Sequence, residues 1–396
     1  WTRSHPGNTR GITRRCISSK CMKIAYCIES AYNSGGMERV LSLKANYLCE
    51  KLGYDVYVIT TDQASHSNFF EFSDRIKFID LDVGYKELAG KPFVRKTYLY
   101  WKKRRMHYAR LKNVLDGLNA DIVISMFGKE ASMLWRIKDG SRKILEFHFS
   151  KYMRLMVQQS AAMKAINLFR TLMEDIFARH YDRMIVLTQE DGKSWKRFRN
   201  LMVIPNPTFM HPDRPAALDN KRVIVVGRLC HQKGLDMLVS AWALVHQSEP
   251  DWHLDIYGSG EWKESLERQI TECGLDTSIR IHQPVTDIQS IYMESSILAL
   301  TSRYEGFPLV LTEAMGCGVP VVSFACKCGP RDIIKDGYNG FLVRENDVKG
   351  FAEKLLHLMR RRDIRKEMGK NAMSSAQEYD MEIIMKKWDG VFKSLL

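Results

Sequence analysis

Two short segments in the second half of the chain combine charged residues with glycine in a pattern that suits phosphate binding and sugar binding. In the first, Gly227–Gly234, Arg228 and Lys233 lie five residues apart directly after an apolar run. A guanidinium fork and an ammonium group on one loop could together neutralise a diphosphate. Arginine and lysine are common on protein surfaces, so an ordinary solvated loop explains this segment equally well.

The second segment places Glu305 and Glu313 on either side of Gly306-Phe307-Pro308. Pro308 suits the first turn of a helix, so we expect Glu313 to lie on that helix within an apolar run. A carboxylate in such a position needs a partner, and ribose hydroxyls suit it because a carboxylate can accept two hydrogen bonds. A helix cap or a salt bridge is the alternative role for Glu313.

Two loops in the first half of the chain could face the same ligand. Gly35 and Gly36 follow one apolar run and precede an amphipathic one, so a phosphate could approach the backbone amides at a helix N-terminus. A plain tight turn explains these glycines about as well. His148 follows the apolar run at 143–147 and could contact a substrate oxygen, although a lone histidine more often has a structural role.

These loops have to be positioned by strands and helices that alternate along the chain, which predicts an α/β fold with parallel strands and crossover helices. Ligands of such sheets bind outside the carboxyl ends of the strands, where the four loops are predicted to fall. The first helix is predicted at Met37–Lys51. The predicted strands are Lys23–Ile28, Asp55–Thr60, Ile76–Leu81, Asp121–Ser125, Lys143–Phe147, Arg183–Leu187, Arg222–Val226, His253–Tyr257, Ser278–His282, Ile297–Leu300 and Pro320–Ser323.

A proline-dense stretch from Pro205 to Pro215 interrupts this alternation and reads as a linker between two doubly wound units. A length of 396 residues also suits two domains. We place the first domain at 22–206 and the second at 207–378, with a helical end from about 348 to 396. Residues 1–21 are basic but have no apolar segment, so we interpret them as a disordered leader outside the fold.

The net charge of +14 is concentrated in two places. Residues 1–21 contain five basic and no acidic residues, and 91–112 contain nine basic and no acidic residues, so the remaining chain is neutral overall. No apolar run approaches the ~20 residues of a membrane-spanning helix. The nine cysteines are scattered without a zinc-site spacing, which favours reduced thiols in the cytoplasm.

The basic segment is predicted to form an amphipathic helix. Lys102, Lys103, Arg104 and Arg105 accompany an apolar stripe at helical spacing. Such a helix suits an anionic membrane surface or a lipid pyrophosphate acceptor, although an apolar stripe more often faces a core. Nucleic acid is the rival partner. We favour the membrane and expect no nucleic acid. The stripe comprises Val94, Tyr98, Trp101, Tyr108, Leu111, Leu115 and Leu118.

Taken together, residues 34–39, 227–234 and 305–313 resemble the retaining glycosyltransferases of family 4, which have the GT-B fold. The resemblance covers nearly all of 22–396 and depends most on the Glu-x7-Glu spacing combined with the Arg/Lys loop. The chain looks most like bacterial enzymes that build surface polysaccharides, including those that add N-acetylhexosamine to lipid-linked glycans. The resemblance implies two Rossmann-like domains facing across a cleft, with a C-terminal helix, 379–396, packed back on the first domain.

The resemblance also implies roles for individual residues. Arg228 and Lys233 would hold the donor diphosphate, Glu305 would lie near the donor sugar, and these three form the catalytic set. Glu313 would bind the ribose. The other donor-binding residues that the resemblance implies are Gly35, Gly36, His148, Gly227, Gly306, Phe307, Pro308, Leu309 and Val310.

The expected chemistry needs neither a metal nor a cofactor. Cleavage of the sugar–phosphate bond places negative charge on the departing diphosphate, which two preorganised cations would stabilise. The Asp80-Leu81-Asp82 motif ends a strand far from the donor loops, so we reject it as a metal site. No pair of carboxylates is assigned as nucleophile and acid, as a glycosidase would need.

The predicted enzyme is thus a hexosyltransferase that moves a hexosyl or N-acetylhexosaminyl group from a nucleotide-sugar, of which a UDP-sugar is favoured. The acceptor would be a glycan or a polyprenyl-diphosphate-linked glycan, at the inner face of the cytoplasmic membrane. Two alternatives remain open: a sugar-nucleotide epimerase of the same fold, and a non-catalytic protein that binds nucleic acid or membrane.

Overall fold

A computed structural model describes residues 21–156, 160–195, 198–210 and 212–396. The predicted leader, apart from Cys21, lies outside the described residues. The described part forms two parallel sheets, as the alternating pattern predicts. Their strands are β1 (Lys23–Ile28), β2 (Asp55–Thr60), β3 (Lys77–Asp80), β4 (Ile122–Ser125), β5 (Arg142–Phe147), β6 (Arg183–Val186), β7 (Leu201–Val203), β8 (Arg222–Val226), β9 (His253–Tyr257), β10 (Ile279–His282), β11 (Ile297–Leu300), β12 (Val321–Phe324) and β13 (Gly340–Val343).

The first sheet has the order β3-β2-β1-β4-β5-β6-β7 and the second the order β10-β9-β8-β11-β12-β13. Both orders reverse beside the first strand of the domain, which is where the loops of a doubly wound sheet leave a crevice for ligands. Five of the predicted strands have the bounds of the observed ones. The sequence pattern missed β7 and β13, which are short edge strands that depend on pairing with β6 and β12.

Helices cover both sheets. In the described residues they are α1 (Gly36–Glu50), α2 (Phe93–Leu118), α3 (Ala131–Leu134), α4 (Met153–Met156), α5 (Ala161–Ala178), α6 (Gln189–Ser194), α7 (Leu235–Ser248), α8 (Lys263–Glu272), α9 (Ile288–Met293), α10 (Leu309–Gly316), α11 (Pro330–Ile333), α12 (Val348–Arg360), α13 (Arg362–Ala376) and α14 (Met381–Leu395). No helix among the described residues is long and apolar enough to cross a membrane.

The chain crosses between the two domains twice, and the crossings lie side by side. The first follows β7, and the second leads into α14. The Thr208 amide donates to the Tyr379 carbonyl at 2.8 Å. The helix α14 then packs in the core of the first domain, where Trp388 and Phe392 are buried beside α1 and β1. A backbone hydrogen bond thus joins the two crossings where they pass between the domains.

The long helix α2 divides into two halves with different surroundings. Its C-terminal half packs in the first domain through Leu111, Leu115 and Leu118. Its N-terminal half projects outward, so that Tyr98 and Trp101 are mostly exposed. The apolar stripe predicted from helical spacing therefore runs along the whole helix, but only its C-terminal half packs against a core.

Candidate active site between the two domains

The four predicted loops come together because each follows a strand whose carboxyl end faces the cleft. Gly227–Gly234 follows β8, Glu305 lies in the loop after β11, His148 follows β5, and Gly35 lies between β1 and α1. A close backbone approach between the domains joins two of the predicted residues. A Cβ added to Gly306 would overlap the backbone carbonyl of His148, so only glycine permits this contact.

The two loops of the second domain are tied together at Lys233 and Glu305. The Lys233 ammonium lies 2.7 Å from a carboxylate oxygen of Glu305, and both side chains are largely buried. Gly227 leaves room for the lysine, since a Cβ there would lie 3.0 Å from its Cε. The side-chain amide of Gln232 donates to the Tyr304 carbonyl at 3.1 Å and adds a second link. The sequence pattern did not single out Gln232.

Arg228 is the exposed member of the predicted catalytic set. Its guanidinium lies 3.5 Å from the amide oxygen of Gln232. It also lies near Glu38 of the first domain. Burial raises the pKa of the Glu38 carboxyl, and the hydrogen bond from Asn33 and the charge of Arg228 act in the opposite direction. The arrangement places one solvent-facing cation and one carboxylate-paired cation, Lys233, on the same loop.

Glu313 has protein partners, so the salt-bridge alternative describes it here. It lies on α10 as predicted and is buried. Arg39 of the first domain approaches one of its oxygens at 2.8 Å, and the Tyr292 hydroxyl donates to the other at 3.1 Å. Ribose binding by Glu313 stays a prediction, and a ribose would meet a carboxylate that already pairs with Arg39 from α1 of the opposite domain.

His148 is held by a buried charged pair that sequence reasoning missed. Its Nε2 lies 3.4 Å from Glu146, whose two oxygens accept from the Lys44 ammonium at 2.7 and 2.6 Å. Burial lowers the pKa of His148 to about 4, so its imidazole is neutral near pH 7. Burial also lowers the pKa of Lys44, and Glu146 opposes that shift. The available signal was a glutamate inside the otherwise apolar end of β5.

The remaining donor-binding candidates line the same gap. Gly35 is the N-cap of α1, and a Cβ on Gly36 would lie 3.5 Å from Leu309 of the second domain. Phe307 is buried against Tyr379, with ring centroids 5.6 Å apart. Pro308 is the N-cap of α10 rather than a residue of its first turn, because its ψ of 87° is not helical.

One backbone amide beside the Gly306-Phe307-Pro308 loop already has a hydrogen-bond partner within the protein. The amide of Leu309 donates to the Phe307 carbonyl at 3.0 Å. The next residue, Val310, is the second residue of α10 and is only half-buried. Donor binding by the amides of Phe307, Leu309 and Val310 therefore stays a prediction, and for Leu309 it would replace the hydrogen bond to the Phe307 carbonyl.

Carboxylates elsewhere in the first domain have structural roles. Asp80 accepts from the Thr60 hydroxyl at 3.0 Å and from the Gln63 amide at 3.1 Å, and so joins the ends of β2 and β3. Across the described residues, no cluster of three or more His, Cys, Asp or Glu side chains is placed to hold a metal ion. The proposed independence from metal stays a prediction.

The four basic residues predicted to meet a membrane or acceptor separate into two pairs. Lys103 donates to the Val83 carbonyl at 2.8 Å and pairs with Glu87 at 3.1 Å, and Arg104 donates to the Ser132 hydroxyl at 2.9 Å. These two attach α2 to its own domain. Lys102 and Arg105 are exposed. Only the second pair faces solvent, because successive residues of a helix point in different directions.

Comparisons with known proteins agree with this geometry. Residues 208–375 match the family described as Glycosyl transferases group 1. The chain is 30% identical to the amylovoran biosynthesis glycosyltransferase AmsD of Erwinia amylovora, over 93% of this chain and 99% of that protein. It is 24% identical to an alpha-1,4-N-acetyl-D-galactosaminyltransferase of Campylobacter jejuni, over 93% of this chain and 97% of that protein. The full name of that relative includes a GalNAc-containing saccharide on PP-undecaprenol.

A solved structure shows the same fold over nearly the whole chain. A mutant of S. aureus TarM, in complex with Fondaparinux, alpha-GlcNAc-glycerol and UDP, superposes with a TM-score of 0.77 at 17% identity. The match covers 94% of this chain and 100% of that chain. The predicted GT-B fold is confirmed. The chain belongs to the group 1 glycosyltransferases, and the predicted hexosyltransferase activity is confirmed with it.

Proposed function

We propose that this enzyme is a retaining transferase of a hexosyl or N-acetylhexosaminyl group from a UDP-sugar to a glycan, in particular a polyprenyl-diphosphate-linked glycan of cell-surface polysaccharide biosynthesis. The observation that carries the proposal is the junction of Gly306 with His148, which brings the Arg228–Lys233 loop and the Glu305 loop opposite the first domain. The UDP in the TarM complex supports the donor, and the PP-undecaprenol in the name of the Campylobacter relative supports the acceptor.

In this proposal, Arg228 and Lys233 stabilise the diphosphate as it leaves the sugar. The Lys233 ammonium is held in place by its ion pair with Glu305, and both side chains are largely buried. A donor diphosphate would compete for the ammonium and leave the Glu305 carboxylate facing the sugar. Preorganised charges of this kind lower the barrier where charge develops, because they need no reorganisation during the reaction.

Two residues would orient the rest of the donor. The neutral imidazole of His148 can exchange a hydrogen bond with a sugar hydroxyl, and its Nε2 is buried without a hydrogen-bond partner among the residues that the structure describes. Glu313 would accept from the ribose hydroxyls. That role requires Arg39 to move or to share the carboxylate, since the guanidinium now lies 2.8 Å away. The chemistry needs no metal or cofactor, because the two cations occupy the place of a divalent ion.

The acceptor side of the proposal concerns the membrane. Lys102 and Arg105 on the projecting half of α2 are exposed and belong to the segment 91–112, which contains nine basic residues and no acidic one. Such a helix is attracted to anionic lipid head groups. We place the enzyme at the cytoplasmic face of the membrane as a peripheral protein, where a lipid-linked acceptor would be within reach.

Thermal unfolding with a panel of nucleotides and nucleotide-sugars tests the donor. A ligand that binds only the native state raises its stability by mass action, so the base and the sugar are both identified from one panel. We expect UDP and one UDP-sugar to raise the Tm more than GDP, ADP and their sugars do. A shift by GDP-sugars alone would overturn the uridine assignment.

Turnover of Arg228→Ala tests the site itself. We expect a loss of at least ~100-fold in kcat, the scale for removing one preorganised charge-stabilising group. The matched control is Arg360→Ala, which removes a surface arginine paired with Glu249 on the outer side of the second domain. Near-normal turnover of Arg228→Ala, with an unchanged Tm, would contradict the assignment. Incubation with donor alone separates transfer from epimerisation, since only an epimerase would yield an isomeric sugar nucleotide.

A further inference from the structure

Helix α5, between β5 and β6, exposes its apolar side and buries a mostly polar one, which is the reverse of what is usual for a helix on the surface of a domain. Its outward side carries seven large apolar residues whose exposed fractions range from 41% to 63%. A helix on the surface of a globular protein normally turns its apolar stripe to the core. The seven residues are Met163, Ile166, Leu168, Phe169, Leu172, Met173 and Ile176.

The inward side of α5 is mostly polar, and ion pairs attach it to the neighbouring segment of the first domain. Asn167, Thr171 and Glu174 are buried, and Glu174 forms an ion pair with Arg154 of α4. The neighbouring Asp175 pairs with Lys151 at 2.8 Å. Because these charged contacts would be lost if the helix rotated, the outward direction of the apolar face is built into the domain.

The charges around the apolar face indicate what covers it. On a helix with about 3.6 residues per turn, Lys164 and Arg170 lie at the two edges of the apolar side of α5. Residues 161–173 contain no acidic residue. A second copy of the same face would bring like charges together, whereas an anionic lipid surface accepts both the apolar side chains and the basic ones.

Helix α2 covers the same core as α5, since its Leu111 and Leu115 are buried together with Phe177 of α5. Arg104 of α2 donates to Ser132 of α3 at 2.9 Å, and Phe177 of α5 lies 6.2 Å from Phe127 just before α3, ring centroid to ring centroid. Tyr98 and Trp101 of α2 are exposed among basic residues. The short helix α3 thus joins two elements that both present apolar and basic side chains outward.

We propose that the exposed face of α5 inserts into an anionic phospholipid bilayer at the level of the head groups and upper acyl chains, while α2 supplies most of the attracting charge. This inference rests on the proposed membrane location and adds the element that enters the lipid. In the sequence, His148 is followed by α4 and then by α5. Insertion of α5 would therefore hold the first-domain wall of the cleft close to the bilayer, where a lipid-linked acceptor presents its diphosphate.

Flotation of the full chain with vesicles tests the inference. We compare vesicles of phosphatidylcholine alone with vesicles that also contain phosphatidylglycerol. The α5 variant carries Leu168→Gln, Phe169→Gln and Leu172→Gln, all at exposed positions. The matched control carries Leu244→Gln and Tyr338→Gln, which change exposed apolar residues of the second domain.

We expect the unmodified chain to float with the phosphatidylglycerol vesicles, the α5 variant to bind at least ten-fold less, and the control to bind normally. Lys102→Gln with Arg105→Gln should weaken binding and reduce its dependence on salt. Equal binding by the α5 variant and the unmodified chain would overturn the inference. A dimer in light scattering that the α5 variant dissociates, without vesicle binding, would also overturn it and assign the face to a second copy.

A separate readout keeps this test distinct from that of the donor site. Nucleotide stabilisation and donor hydrolysis by the α5 variant should equal those of the unmodified chain, because no α5 residue belongs to the donor loops. Normal vesicle binding without nucleotide stabilisation would contradict the proposed donor site and leave α5 unaffected. No vesicle binding by the unmodified chain would overturn both the membrane location and the insertion of α5.

Discussion

The two domains share one architecture but differ in how they handle apolar and charged side chains. Helices of the second domain turn their apolar side to the core, as in α12, where Phe351, Leu355 and Leu358 are buried. The first domain exposes apolar residues along α2 and α5 and places the charged pair of Lys44 and Glu146 inside its core. The doubly wound fold therefore specifies where loops meet, whereas the surface chemistry of each domain is set by its own crossover helices.

The largest expected effect concerns the buried pair of the first domain. Lys44→Met should lower the free energy of unfolding by about 3–5 kcal/mol, because Glu146 would be left buried without its partner. Urea denaturation measures the change. The matched variant of the second domain, Asp236→Ala, removes the partly exposed partner of Arg303 and should cost no more than about 1 kcal/mol.

A double variant sharpens this prediction. Lys44→Met combined with Glu146→Leu removes both charges, so its stability should return most of the way to that of the unmodified protein. The Lys44 ammonium also lies 3.6 Å from the centroid of the Trp388 ring. If the double variant were as unstable as Lys44→Met alone, the loss would come from this contact and not from the unpaired charge.

The next effect is a dependence of stability on pH that originates in the first domain. Burial lowers the pKa of both His107 and His148 from 6.5 to about 4. Between these values the unfolded chain binds more protons than the native one, so stability rises with pH across the window and is lost as pH falls from 6.5 to 4. Each histidine contributes on the order of 3 kcal/mol over the full window.

Unfolding of His107→Gln between pH 4 and pH 7 checks this dependence. Its stability should fall less steeply on acidification than that of the unmodified protein. His357→Gln, at an exposed position in the second domain, is the control and should follow the unmodified curve. Parallel curves for all three proteins would show that His107 does not contribute to the acid sensitivity.

The next prediction concerns catalysis and the contact between Gly306 and His148, where the two domains meet. Gly306→Ala would push its new Cβ into the His148 carbonyl and hold the loops apart. We expect kcat/KM to fall by about 100-fold, the scale for small misplacements of reacting groups. Gly390→Ala on α14 is the control, because nothing lies within 4 Å of its added Cβ. Unchanged kinetics for Gly306→Ala would mean that the domains do not need this contact during turnover.

The smallest expected effect is on stability, and it comes from comparing an exposed apolar residue of the first domain with a buried one of the second. Leu172→Gln on the outward side of α5 should change the unfolding free energy by less than about 0.5 kcal/mol, as surface substitutions do. Leu355→Ala on α12 should cost about 2–5 kcal/mol, because it empties part of a core. A large loss from Leu172→Gln would show that its side chain packs inside the protein and is not available to a membrane.

The predictions from sequence succeeded where local pattern and fold agree. Alternating apolar runs located β1, β2, β8, β9 and β11 with their observed bounds, because buried parallel strands are continuous apolar runs. The sequence also placed Glu313 on a helix and Lys233 and Glu305 on loops that meet. It missed the partners Arg39 and Tyr292 of Glu313, since each comes from a separate element brought near only by packing.

The sequence by itself determined the two α/β units, the order of the donor loops and the location of the positive charge, because each of these depends on residues that are neighbours along the chain. Only the tertiary structure decided that Lys233 and Arg39 are paired with glutamates, that Lys103 and Arg104 attach α2 to its domain, and that α5 turns its apolar side outward. Helical periodicity identifies two faces of a helix but does not say which one the rest of the protein covers. That choice was made by the ion pair of Arg154 with Glu174 and by the other polar contacts beneath α5.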